Sequence, residues 1–136
     1  MTGREREGSE IYALASAGDP EAFAWLMAFH GWAHRVDDFI DEEDHARLEL
    51  IDLCADAVVL CSCGFYARHA NVLGPILASV AEQYRMSATV SGTLADVLRV
   101  AGNQVVLAVA YLRGGRPLLR AVSERLWKFV KETQLT

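Results

Sequence analysis

Residues 19–44 read DPEAFAWLMAFHGWAHRVDDFIDEED, and the fold turns on how this stretch is read. Asp19 suits a helix N-cap. Pro20 suits the first helical position, where its missing N–H has no intrahelical partner to lose, and Glu21 puts an acid in the first turn. The predicted helix runs from Pro20 to about Glu43. At about 100° per residue, Trp25, Phe29, Trp32, Val36, Phe39 and Ile40 gather on one side. Asp37, Asp38 and Asp41 share the other side, with His30 and His34 above them and His45 below. An apolar stripe opposite a polar one is the mark of a helix with one face on a core.

Outward from this stretch, helical periodicity and capping signals recur, and no run alternates with period two. Residues 1–9 are expected to form a flexible N-terminal arm, and residues 10–136 a single helical domain. Glu10–Ala17 reads as a short helix ended by Gly18. Asp44 caps a third helix from His45 to about Arg68. Gly74-Pro75 starts a fourth, to about Ser87. Thr93 and Asp96 form a capping box for a fifth, which ends at Gly114-Gly115, and Pro117 opens the last, through about Glu132. Short connections make sequential helices antiparallel neighbours. The expected fold is all-α, a compact bundle of five to six helices.

The chain has 136 residues, 52% hydrophobic and 23% charged, which fits one globular domain and excludes disordered or collagen-like classes. Its strongly apolar charge-free stretches, 57–67 and 100–112, fall short of the roughly 18–20 residues of a membrane span. The charged start, Met-Thr-Gly-Arg-Glu-Arg-Glu, has no apolar segment behind it, so no secretory signal and a cytoplasmic location are expected. The net charge of −5 hides a split: residues 1–56 sum to −10 and residues 57–136 to +5. An acidic total without a basic stripe argues against nucleic acid as a partner. Cys54, Cys61 and Cys63 are expected to be buried, inert thiols rather than disulfides or a metal claw.

Asp37, Asp38, Asp41, Glu42, Glu43 and Asp44 put six carboxylates into eight residues at a helix C-terminus. There the helix dipole disfavours each acid by about 0.3–1 kcal/mol, and like-charge neighbours add a few tenths. A bound divalent cation would offset that cost. Glu49, Asp52 and Asp56 form a second acidic stripe on the next helix, and an antiparallel hairpin turning near Asp44 would let the two stripes converge. Oxygen-rich ligands suit Mg²⁺ or Mn²⁺, which keep waters and recruit phosphate oxygens. His30 and His34 are expected to support the ligands rather than bind directly. The competing reading is a solvated acidic rim with Asp44 as a cap.

The stretch from Ala28 to Glu42, with Asp37-Asp38-Phe39-Ile40-Asp41 at its centre, resembles the first D-D-x-x-D motif of the class I isoprenoid synthases, especially the squalene/phytoene type. That resemblance implies that Asp37, Asp38 and Asp41 bind Mg²⁺ ions holding a diphosphate. The chain is much shorter than those enzymes and carries no second aspartate-rich motif, so full synthase activity is not implied. Glu49-Leu50-Ile51-Asp52 through Asp56 resembles the second metal motif of the all-α NTP pyrophosphatases of the MazG and dimeric dUTPase kind. With Asp38-x-x-Asp41 as a variant first motif, this implies a Mg²⁺-dependent nucleotide site in a small helical oligomer. The D-D-x-x-D stretch is also similar to one in small helical proteins of tailed-phage genomes, which implies no particular function.

Arg113-Gly114-Gly115-Arg116-Pro117 offers guanidinium groups beside a helix N-terminus, an arrangement that suits phosphate, although a glycine C-cap explains the same residues. Asp96, Arg99 and Asn103 form a polar stripe on an otherwise apolar helix. Facing the acidic hairpin, that stripe would make a pocket. The expected function is Mg²⁺-dependent binding of a phosphorylated small molecule, a nucleotide or another diphosphate, with hydrolysis as a further step. Its metal ligands would be Asp37, Asp38, Asp41, Glu49, Asp52 and Asp56, and its phosphate contacts Arg99, Arg113 and Arg116. His30, His34 and Asn103 would stand behind them. The alternative is a non-enzymatic helical interaction or ligand-sequestering protein that uses its acidic patch. The helices over 57–67 and 100–112 are apolar nearly all round, more than one small bundle hides, so a homodimer is expected.

Overall fold

A computed structural model describes residues 2–41 and 47–133, which are all-α, with no strand among them. The helices are α1 (Gly3–Ser16), α2 (Pro20–Asp41), α3 (Arg47–Leu60), α4 (Gly64–Ser87), α5 (Gly92–Arg99) and α6 (Asn103–Thr133). They pack around one core, so the bundle expected from the sequence is the bundle observed.

The expected N-terminal arm is instead helix. Thr2 Oγ1 accepts from Glu5 N–H at 3.1 Å, and Glu5 Oε2 accepts from Thr2 N–H at 2.9 Å, a complete capping box. The helix that follows buries Ile11 and Ala15 against α6, which gives the first turns something to lean on. It ends at Ala17 and Gly18, both at positive φ.

α2 starts where the sequence places it. Asp19 Oδ1 accepts from the N–H groups of Glu21 and Ala22 at 3.0 and 3.3 Å. Trp25, Leu26 and Phe29 bury its apolar side. Glu42, Glu43, Asp44 and His45, expected to shape the turn, lie outside the described residues.

The third helix stops at Leu60 rather than near Arg68. Cys63 adopts an extended N-cap conformation, and α4 leaves it at 97° to α3. Gly74-Pro75 opens no helix; both lie inside α4, whose break falls earlier, at His69 (φ −125°, ψ 18°). The segment 57–67 is therefore not one helix enclosed on every side, and Val58 and Val59 stay about two-thirds exposed. The thiols follow the same correction: Cys54 and Cys61 are exposed and Cys63 is half-buried.

The expected fifth helix is broken too. α5 is capped from Ser91 with no side-chain capping bond, which sets aside the Thr93–Asp96 box, and the chain turns at 100–102 before α6 begins. Residues 92–133 include a run apolar and long enough to cross a membrane by composition. Here Val105, Val106, Val109 and Ala110 within it form the centre of the core. Gly115 (φ 66°, ψ −159°) breaks α6 at the expected glycine pair. Beyond it, Val122, Leu126, Phe129 and Val130 join the core on the side of α1.

Candidate functional site

α2 is used on both sides, and the two tryptophans decide how. Trp25 Nε1 donates to the Leu60 carbonyl at 2.9 Å, and Trp32 Nε1 donates to the Leu53 carbonyl at 3.0 Å. Rising numbers on α2 meet falling numbers on α3, so the pair is antiparallel, and α3 covers the tryptophan face. The opposite face of α2, with His30, His34, Asp37 and Asp41, packs beside α1 and looks towards α5 and the start of α6. Between them lies an open cavity of about 310 Å³.

Several of the expected site residues come together in this cavity. Asp37 and Asp41 line it from successive turns of α2, with His30 and His34 above them; Arg99, Asp96 and Asn103 face them. Arg99 Nη2 stands 3.6 Å from Asp41 Oδ1, close enough to pair but beyond hydrogen-bond contact. Asn103 is buried, and its Nδ2 donates to the Val100 carbonyl at 3.0 Å, which helps hold the turn between α5 and α6.

Other expected ligands lie elsewhere. Asp38 is exposed, one step around α2 from the cavity. Glu49, Asp52 and Asp56 belong to α3, on the tryptophan side of α2, so the two acidic stripes do not converge. Asp56 pairs with Arg35 at 2.5 Å. Arg113 pairs with Asp19 at 3.4 Å, beside the N-terminus of α2, and Arg116 is exposed beyond Gly115; neither lines the cavity. Among the described residues no three His, Cys, Asp or Glu side chains are grouped to hold a metal ion.

The cavity contains residues the sequence reading passed over, chiefly Tyr12 from α1 and Tyr84 from α4. Tyr12 Oη lies 2.8 Å from His30 Nδ1, and the His30 ring sits edge-on to His34 with centroids 4.7 Å apart. When the imidazole proton is on Nε2, the phenol donates to Nδ1. Tyr12, His30, His34 and Asn103 also wall a second cavity of about 380 Å³, bounded by Ile11, Met27, Leu126 and Phe129. A tyrosine on a buried helix face usually needs a partner for its hydroxyl, and that was the signal available for both residues.

The titrating groups act on one another. Burial pushes the Asp37 carboxyl above its ordinary value, the Asp41 charge pushes the same way, and the Arg99 guanidinium opposes them. Burial and then the charge on Asp37 drive the Tyr84 phenol up to about 12. Burial and then Tyr84 do the same to Tyr12, also to about 12. Burial and the neighbouring His34 hold His30 below its ordinary value. The cavity thus presents two neighbouring aspartates, two phenols that stay protonated at neutral pH, an imidazole that burial holds towards its neutral form, and the Arg99 guanidinium 3.6 Å from Asp41. No family model, curated protein or solved structure matches the chain, so the motif resemblances stand on their residues alone.

Proposed function

We propose that this protein binds a small phosphorylated molecule, a nucleotide or another diphosphate, together with Mg²⁺ or Mn²⁺, in the cavity between α2 and the α5–α6 turn. One observation carries the reading: Asp37 and Asp41, an i,i+4 carboxylate pair, share the cavity with Arg99. Two carboxylates suffice for a cation that keeps several waters and completes its shell with phosphate oxygens. Asp37 is an unfavourable anion where it stands, and a cation would reverse that. The guanidinium of Arg99, only loosely held by Asp41, has the fork geometry that suits a phosphate.

Compared with the expectation from sequence, the proposed ligand set is smaller. Asp37 and Asp41 hold the cation, Arg99 the phosphate, and His30, His34 and Asn103 shape the wall. Asp38, Glu49, Asp52, Asp56, Arg113 and Arg116 have no part in it. The reading is one of binding, and no residue is assigned to turnover.

Thermal unfolding with Mg²⁺ or Mn²⁺, and with nucleotides or inorganic pyrophosphate, tests it. Ligand at a hundred times its Kd should stabilise the protein by about 2.7 kcal/mol when metal and phosphate are both present. The double variant Asp37→Asn, Asp41→Asn should lose that gain. If no pair of metal and phosphate shifts the transition, or if the double variant keeps the shift, the reading is wrong.

A further inference from the structure

The outward face of α3 is apolar, and none of the described residues covers it. Leu53 and Leu60 turn inward, Leu53 under Trp32 and Leu60 under Trp25. Away from them, Leu48, Ile51 and Val58 are 70%, 61% and 66% exposed, with Ala55 also exposed between them. This row would lose little by packing against a like row, and its order is specific. Leu48, Ile51, Ala55 and Val58 follow at steps of three, four and three, the spacing of the seam of a two-stranded coiled coil.

We propose that this face is a homodimer interface in which two copies of α3 pair side by side and parallel. The charges flanking the seam select both the partner and the direction. With Leu48 and Ile51 as the first two seam positions, Arg47 flanks the row on one side and Asp52 on the other. In a parallel pair, Arg47 faces Asp52 of the partner subunit five positions on, and symmetry makes that ion pair twice. An antiparallel pair would set Asp52 against Asp52 of the partner subunit. A second copy of this chain is thus complementary to the face in apolar spacing and in charge.

The seam spans only two heptads, so its affinity is expected to be micromolar rather than nanomolar. α3 is already formed and anchored to α2 by the Trp25 and Trp32 bonds, which lowers the cost of ordering it in the dimer. The interface lies on the tryptophan side of α2 and the cavity on the other. Dimerisation therefore leaves both cavities open, and its failure would not bear on ligand binding.

Light scattering across a micromolar concentration series tests the pairing. The full chain should approach twice its 15.0 kDa mass. Val58→Glu should hold it at the monomer mass with its helical circular dichroism unchanged, since Val58 is solvent-facing in the single chain. Arg47→Asp and Asp52→Arg should each weaken association several-fold, and the two together should restore it. In a background with Cys54, Cys61 and Cys63 all replaced by Ser, Ala55→Cys should oxidise to a covalent dimer, because only parallel pairing puts residue 55 of each copy face to face. A monomer mass for the unaltered chain at tens of micromolar overturns the proposal. So does a dimer indifferent to Val58→Glu, or a charge swap that fails to rescue.

Discussion

The Tyr84 hydroxyl occupies the space that a side chain at residue 102 would need: a Cβ built on Gly102 falls 2.6 Å from Tyr84 Oη and 3.6 Å from Phe29. The chain turns from α5 into α6 at this point, and the same two aromatic residues line the cavity. Gly102 therefore ties the helix break to the shape of the site. The requirement is for space, since the residue's φ is not in the positive region.

Gly102→Ala should destabilise the protein by about 1–3 kcal/mol, the usual cost of overpacking a fitted position. Tyr84→Phe removes the atom that the new methyl meets first. The double variant should lose measurably less than the sum of the two single losses, as read by denaturant unfolding and a double-mutant cycle. An Ala at 102 with unchanged stability would refute the steric argument.

This junction also shows where sequence reading reaches its limit. The helix over 20–41 was legible because its Asp19 cap, its Pro20 and its 3.6-residue pattern are all local. The two-faced character of α2 was legible too, and with it His30, His34, Asp37 and Asp41 as neighbours. The stripe of Arg99 and Asn103 could be seen, but its helix reads as continuous, although Gly102-Asn103 pairs a C-cap residue with an N-cap residue. At the break Gly102 lies against Tyr84, a residue from another helix, and that contact is not written in the local sequence. The partner of each acidic stripe was likewise hidden: the tryptophan indole N–H groups take α3 to the far side of α2, and no spacing rule on α3 alone contains that fact.

His30 should give the protein an acid-sensitive step. Its folded value is held below the ordinary 6.5 by burial and by His34, so the unfolded chain takes up a proton first. Stability is then fully present above about 6.5 and is lost as pH falls from there towards the lowered folded value. His30→Gln keeps an acceptor for Tyr12 but cannot titrate in this range. Its stability plotted against pH should be flatter than that of the unaltered protein as pH falls below about 6.5. Parallel curves would show that His30 does not carry the step.

Asp37 should act in the opposite sense at lower pH. Its folded value is raised, so the folded chain binds the proton more tightly, and this contribution favours folding as pH falls through that raised value. Asp37→Asn removes a repulsion with Asp41 and a charge at the negative end of α2. It should stabilise the metal-free protein at pH 7 by about 0.5–1 kcal/mol. The advantage over the unaltered protein should shrink as pH approaches the ordinary carboxylate range. A destabilised Asn variant at pH 7 would mean that the ionised carboxylate makes a favourable contact that outweighs the repulsion.

The two indole bonds that fix α3 should differ in weight. The Leu60 carbonyl belongs to the last residue of α3, where the chain turns away, so a helical N–H donor four residues on is not supplied by α3 itself. Trp25 Nε1 fills that role from a side chain that is only 3% exposed. The Leu53 carbonyl sits inside α3, where residue 57 continues the helical ladder, so Trp32 Nε1 adds a second donor to a satisfied acceptor from a half-buried position. Trp25→Phe should therefore cost about 1–3 kcal/mol, because it leaves the buried Leu60 carbonyl with only the weak thiol donor of Cys63, 3.7 Å away. Trp32→Phe should cost about 0.5–1.5 kcal/mol, the net value of an ordinary hydrogen bond. Hydrogen exchange should show the difference locally, with the amides at the C-terminal end of α3 opening faster in the Trp25 variant than in the Trp32 variant. Equal losses in the two variants would show that capping the end of α3 is not what Trp25 contributes.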